Sequence, residues 1–220
     1  MSVMIQLSEL QFLSEDGIKV LDDVHLRVDR GELVFLTGPA AAGKTILLGL
    51  VATQIPPQNG QILVHGRNIA RLSRKKAFQL RRQIGFIPQR FSPLPKTVLD
   101  NVIFKLRTLG DFREQAEEKA LAALEMVSLT RKLAASATEI EPIDRVRLAF
   151  AVAICNDPLL LLFDEPFEEL SADDRSKVCS LLEEIHLRGF TILVTTRNPL
   201  PSLIEKYRVV QLLDGKVKEG

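Results

Sequence analysis

The chain has 220 residues, enough to bury a sizeable core and most simply one domain. Its 29 Lys and Arg stand against 28 Asp and Glu, a balance that implies no strongly acidic partner. Cys155 and Cys179 have neither CxxC nor metal-ligand spacing and read as reduced thiols of a cytosolic protein. No charged start followed by an apolar block marks a signal peptide, and the apolar stretches 146–155 and 159–163 are too short to span a bilayer.

From the N-terminus, residues 3–12 and 18–28 alternate apolar and polar around Asp16-Gly17 and predict two antiparallel strands. Residues 32–37 predict a buried strand and 43–53 a helix. A short strand is expected at 61–65, a helix at 73–82 and another short strand at 84–88. Beyond about residue 97 the pattern turns helical, with helices at 101–109, 112–127 and 142–155. The second carries Ala116, Ala120, Leu124 and Val127 at helical spacing, and the third begins with Pro142 at the favoured first position. Strands at 159–163, 190–195 and 209–213 then alternate with a helix at 172–188 and a turn or short helix at 203–207. Such alternation predicts an α/β fold with a mostly parallel sheet covered on both faces, preceded by antiparallel strands. We expect one domain over 1–220, with 1–90 and 157–220 as the α/β core and 91–156 as an inserted helical subdomain. The basic cluster Arg71, Arg74, Lys75, Lys76, Arg81 and Arg82 reads first as a solvated helix face, with a lipid-headgroup or nucleic-acid patch as the alternatives.

Gly38-Pro39-Ala40-Ala41-Ala42-Gly43-Lys44-Thr45 fits the GxxxxGK[ST] phosphate-binding loop, and it lies between an apolar strand and a helix as that motif requires. Such a loop turns backbone N–H groups toward phosphate oxygens at the positive end of the helix dipole. Lys44 is expected to reach the β- and γ-phosphates, and the Thr45 hydroxyl to ligate Mg²⁺. A second apolar strand ends in Asp164-Glu165. It would deliver Asp164 to the Mg²⁺ shell and Glu165 to the attacking water. Gln89 ends the strand at 84–88 and is a candidate contact to Mg²⁺ or to that water.

These three motifs occur in the order and spacing of an ABC-type ATPase, which the chain resembles over essentially its whole length. Residues 20–24 before Arg30-Gly31-Glu32 look like that family's opening hairpin, and Leu213-Asp214-Gly215-Lys216 like its closing turn. Within the family, residues 94–102 look most like the group of the cell-division ATP-binding protein FtsE and its lipoprotein- and macrolide-exporter relatives. The resemblance implies a P-loop NTPase core, Mg²⁺-ATP as the ligand, and a homodimer or ABC heterodimer. It also implies a separate transmembrane partner, FtsX-like or an exporter permease, that holds the chain on the inner face of the cell membrane. Arg90, Phe91, Leu94 and Val98 are the expected docking residues. Phe12 lies where the family stacks an aromatic ring on adenine, and a core phenylalanine remains the other reading.

Four positions depart from the family. Its LSGGQ signature falls here on Ile140-Glu141-Pro142-Ile143-Asp144, which holds no glycine or serine. Pro142 removes an N–H. Glu141 sets a carboxylate where a partner's γ-phosphate would come, and two such charges about 4 Å apart repel by roughly 1–4 kcal/mol. Arg197 stands at the switch histidine, Ser171 at an aspartate, and Ile46 at a hydroxyl residue that contacts the α-phosphate. Two readings follow: an ATP-hydrolysing subunit with Glu165, Gln89 and Arg197 in catalysis, or a nucleotide-binding scaffold with little turnover. A soluble ATPase acting on nucleic acid is a third, disfavoured because the basic cluster lacks interleaved aromatics. Glu141 and Arg197 could pair across a dimer.

Overall fold

The computed structural model describes residues 2–168, 170–197 and 206–219. Strands β1 (Val3–Leu13) and β2 (Lys19–Asp29) form the expected antiparallel pair. Ile5, Leu7 and Leu10 of β1 and Leu21, Val24, Leu26 and Val28 of β2 are buried, one face of each strand, as a period of two requires. Bulges at Glu9 (φ 51°) and at Asp23 (φ 58°) shift the register on either side of Leu10, which accounts for the three-residue steps from Leu7 to Leu10 and from Leu21 to Val24. Then come β3 (Leu33–Thr37), α1 (Lys44–Val51), β4 (Asn59–Val64) and the short β5 (Arg67–Asn68). The first sheet has the order β2-β1-β4-β5.

Helix α2 (Arg74–Arg81) is capped by Ser73, whose hydroxyl accepts from the Lys76 N–H at 3.4 Å. After β6 (Ile84–Ile87) the chain enters α3 (Val98–Leu109), α4 (Arg113–Met126) and α5 (Pro142–Ile154). Helix α3 starts three residues before the expected position. Thr97 caps it, and the buried Asn101 side chain accepts from the Leu94 N–H and donates to the Leu94 and Thr97 carbonyls, so a residue that reads as a helix start is satisfied inside the first turn. The chain closes with β7 (Leu160–Asp164), α6 (Ala172–Leu187), β8 (Thr191–Thr196), β9 (Arg208–Leu213) and β10 (Lys216–Glu219).

The second sheet has the order β10-β9-β3-β8-β7-β6, parallel throughout except for the β9–β10 hairpin. Both faces are buried. Leu33, Phe35, Leu161 and Phe163 face one core with the helices of the insert and α6, while Val34, Leu36, Leu160 and Leu162 face another with the first sheet. Helix α1 lies in that second core, with Leu47, Leu48, Leu50 and Val51 all buried between the two sheets. The segment 91–156 is mainly helical, and its helices share one core with the sheet: the Phe150 and Phe163 ring centroids are 4.5 Å apart. Strands β5 and β10 and the 3-10 turns at Ile69–Arg71 and Thr130–Lys132 were not expected, because two to four residues are too few to show a period. The expected turn at 203–207 lies largely outside the described residues.

Candidate nucleotide site

Strand order brings the motifs together. β8 lies between β3 and β7, with Thr37 beside Thr196 and Asp164 beside Thr195. The phosphate loop, Asp164-Glu165 and Arg197 therefore all leave the carboxyl-terminal edge of the parallel sheet, where ligands of such sheets bind.

Gly43 caps α1 at φ 99°, a left-handed conformation suited to glycine, and no acidic residue stands in the first turn of the helix. At Gly38 a β-carbon would come within 2.4 Å of the Leu212 carbonyl oxygen, so only glycine lets the loop pass β9. Ala41 holds φ 60°, a conformation that costs a non-glycine residue about 1–2 kcal/mol. The Lys44 side chain is 3% exposed. Its ammonium donates to the carbonyls of Gly38 (2.7 Å) and Pro39 (2.8 Å) and pairs with Glu165 Oε1 at 3.1 Å. A buried ammonium surrounded by oxygen acceptors, at an uncompensated helix N-terminus, fits a polyphosphate. Thr45 is exposed beside it, and Ile46 packs partly buried against the core around α1.

Glu165 leaves β7 at φ 46°. That turn lets its N–H donate to Thr195 Oγ1 (3.0 Å), while the same hydroxyl donates to Asp164 Oδ1 (2.7 Å). Thr195 is fully buried and sets both acidic residues. Glu165 Oε2 accepts from Arg197 Nε at 2.7 Å, so each oxygen of this nearly buried carboxylate meets a cation. Arg197 also reaches Glu168 Oε1 (3.2 Å), and Gln89 Nε2 donates to Glu168 Oε2 (2.5 Å). Glu165 and Glu168 raise the Arg197 pKa, chiefly through the hydrogen bond that Arg197 donates to Glu165. Arg197 thus has two partners in its own chain, and Glu141 is not needed to pair it. Sequence reasoning missed Glu168 and Thr195. Thr195 had a signal, a hydroxyl residue in an otherwise apolar strand, but Glu168 had none.

At the position of the signature, Glu141 caps α5 without a side-chain hydrogen bond, and Pro142 is its first residue. Asp144 in the first turn is 4% exposed and bonds to Lys132, and to Arg147 at 3.3 Å. Its carboxylate lies at the positive end of α5, where an external anion would otherwise go. Ser171 caps α6, accepting from the Asp174 N–H at 3.1 Å, so it keeps the capping role that an aspartate would serve.

A cavity of about 280 Å³ opens beside Gln89 and Glu165, with Arg90 and Phe91 on one wall and Pro142 and Arg145 on the other. Of the expected docking residues, Val98 is fully buried at the start of α3 and can touch no partner, whereas Arg90 is exposed and Phe91 and Leu94 half-buried. Phe12 is half-buried against the core of the first sheet.

This arrangement is that of an ATP-binding cassette. The ABC transporter family model matches residues 21–168, and the chain belongs to that family. It is 32% identical over 213 residues to the cell division ATP-binding protein FtsE of Bacillus subtilis, covering 96% of this chain and 93% of that protein. The lipoprotein-releasing system ATP-binding protein LolD of Bacteroides thetaiotaomicron is 30% identical over 206 residues, covering 92% and 94%. The dimeric post-hydrolysis state of the ATP-binding cassette MJ0796 bound to ADP and Pi superposes with a TM-score of 0.85 at 26% identity, over 98% of each chain.

Proposed function

We propose that the chain is the nucleotide-binding subunit of an FtsE-like ABC complex. In this reading it binds Mg²⁺-ATP and hydrolyses it slowly to drive a separate membrane partner, FtsX-like or an exporter permease. The observation that carries it is Lys44, buried at the start of α1 and joined to Glu165. Lys44, Gly43 and the backbone of 38–45 bind the phosphates, and Thr45, Asp164 and Gln89 would hold the Mg²⁺. When bound, that ion neutralises charge developing on the phosphate oxygens. Thr195 keeps Asp164 and Glu165 oriented. Glu165 accepts the proton of the attacking water once it exchanges one of its two cations, and Arg197 is the cation it releases. Phe12 and Ile46 border the nucleotide.

Among the described residues no helix is long and apolar enough to cross a membrane. We place the chain on the cytoplasmic face of the membrane, held by its partner through Arg90, Phe91 and Leu94 at the rim of the cavity. The closed start of α5 favours a second reading, in which the chain is one half of an ABC heterodimer or a scaffold with little turnover. ATP binding and single-site turnover, compared between the wild type and Glu165→Gln, test the first reading. Both proteins should bind ATP, and the wild type should turn over at least tenfold faster. Equal slow rates with intact binding would establish the scaffold.

A further inference from the structure

The near-neutral net charge hides a strong segregation. No Asp or Glu occurs at residues 33–99, which carry ten Lys and Arg, so all 28 acidic residues lie elsewhere. The densest part of this segment is α2 with the turn before it. Arg71, Arg74, Lys75, Lys76 and Arg81 are exposed there and make no ion pair among the described residues. Three of these cations occupy the first turn of α2, where the helix dipole favours acidic residues instead. Local helix stability does not explain that placement.

With 3.6 residues per turn, Arg74, Lys75, Phe78 and Arg82 project together, opposite Leu80, the residue that anchors α2 in the core. Contrary to the sequence reading of a basic cluster without interleaved aromatics, Phe78 is 54% exposed in the middle of this cationic face, and the Arg82 guanidinium lies 6.0 Å from its ring. Two grooves, of about 450 and 410 Å³, flank the helix and share Arg67 and Gln79. The acidic residue lining them, Asp111, is paired with Lys119 at 2.7 Å, and Phe112 beside it is 76% exposed. The eight residues of α2 span about 12 Å, and successive cations in the first turn lie well within the Debye length of about 8 Å at physiological salt, so those charges act together.

We propose that the outer face of α2 is a lipid contact, in which the cations meet the phosphate groups of an anionic bilayer and Phe78 enters the headgroup boundary. Clustered cations around an exposed aromatic residue suit such a surface, where charge draws the helix in and an apolar side chain holds it. The contact is separate from the nucleotide chemistry, so it is measured on the chain alone, without ATP.

Phe78→Trp reports on the contact directly, because the chain contains no tryptophan. Its emission should shift to the blue with phosphatidylglycerol vesicles and stay fixed with phosphatidylcholine vesicles. Wild-type chain should co-sediment with the anionic vesicles at about 0.1 M salt and be released near 1 M, where the Debye length falls to about 3 Å. The double reversal Arg74→Glu/Lys75→Glu should weaken sedimentation at least tenfold. It puts acidic residues in the first turn of α2, which favours the helix, so the loss would not come from unfolding. Sedimentation unchanged by the reversal, or an unmoved tryptophan, overturns the proposal. Tighter binding to a single-stranded oligonucleotide than to the vesicles also overturns it and assigns the face to nucleic acid.

Discussion

Helices α1 and α5 both begin at motif positions, and they treat negative charge in opposite ways. α1 starts at a glycine, has no acidic residue in its first turn, and brings a buried ammonium to its positive end. α5 starts at Glu141 and Pro142 and carries the Asp144 carboxylate in its own first turn, held by Lys132 and Arg147. A helix N-terminus attracts an outside anion only where the chain has not already supplied one. By this measure α5 is closed by a carboxylate of its own first turn, and α1 is the more open end, since its nearby carboxylate, Glu165, comes from the end of β7 and pairs with the Lys44 ammonium.

The largest expected effect probes the open side. Lys44→Ala should lower ATP affinity roughly 100-fold or more, about 2.7 kcal/mol, in an equilibrium titration, while Glu141→Ala in the isolated chain should leave it within about threefold. Next comes an attempt to open the closed side. Glu141→Ser/Pro142→Gly, which leaves the buried Ile143 in place, should raise ATP-dependent self-association about tenfold in sedimentation velocity, equivalent to about 1.4 kcal/mol. Association that does not change would place the barrier at Asp144 or beyond α5.

A third, smaller test concerns a departure that the structure makes structurally neutral. Ser171→Ala should cost about 1 kcal/mol in urea unfolding through loss of the α6 cap, whereas Ser171→Asp should stay within a few tenths. The smallest effect lies outside both helices. His65 is held below its ordinary value, first by burial and then by Arg30 and Arg67. A group with a lowered folded pKa contributes its full stability above about pH 6.5 and loses it as pH falls through the folded value. The Tm should therefore be flat above pH 7 and drop slightly toward pH 5, with the drop absent in His65→Gln.

Much of the fold was legible because its signals are periodic. The alternation in β1 and β2, the apolar runs of β3, β7 and β8, and the proline opening α5 each fall within about three residues of expectation. The phosphate loop and the Asp164-Glu165 strand end were legible because spacing alone carries them. The cation pair around Glu165 was not. It depends on β8 lying between β3 and β7, which no local pattern encodes, and on Glu168, a carboxylate in a loop with no period. Arg197 therefore read as a catalytic candidate at an altered switch position, with no sign that it binds two carboxylates of its own chain.

The burial of α1 between two sheets also bears on how freely the sequence can drift. Every apolar residue of that helix touches a core, and even a methyl group at Gly38 would strike β9, so changes at Gly38 or along the buried face of α1 would disturb the fold before they altered any chemistry, whereas Pro39, Ala40, Ala41 and Thr45 are exposed. Glu141 and Pro142 are exposed at the surface, where substitutions cost the fold little, but Ile140, Ile143 and Asp144 of the same segment are buried. The two motif segments are thus anchored differently: the phosphate loop by the closeness of its backbone to β9 and by the buried Lys44, the signature segment by Ile140, Ile143 and Asp144 beneath two exposed residues.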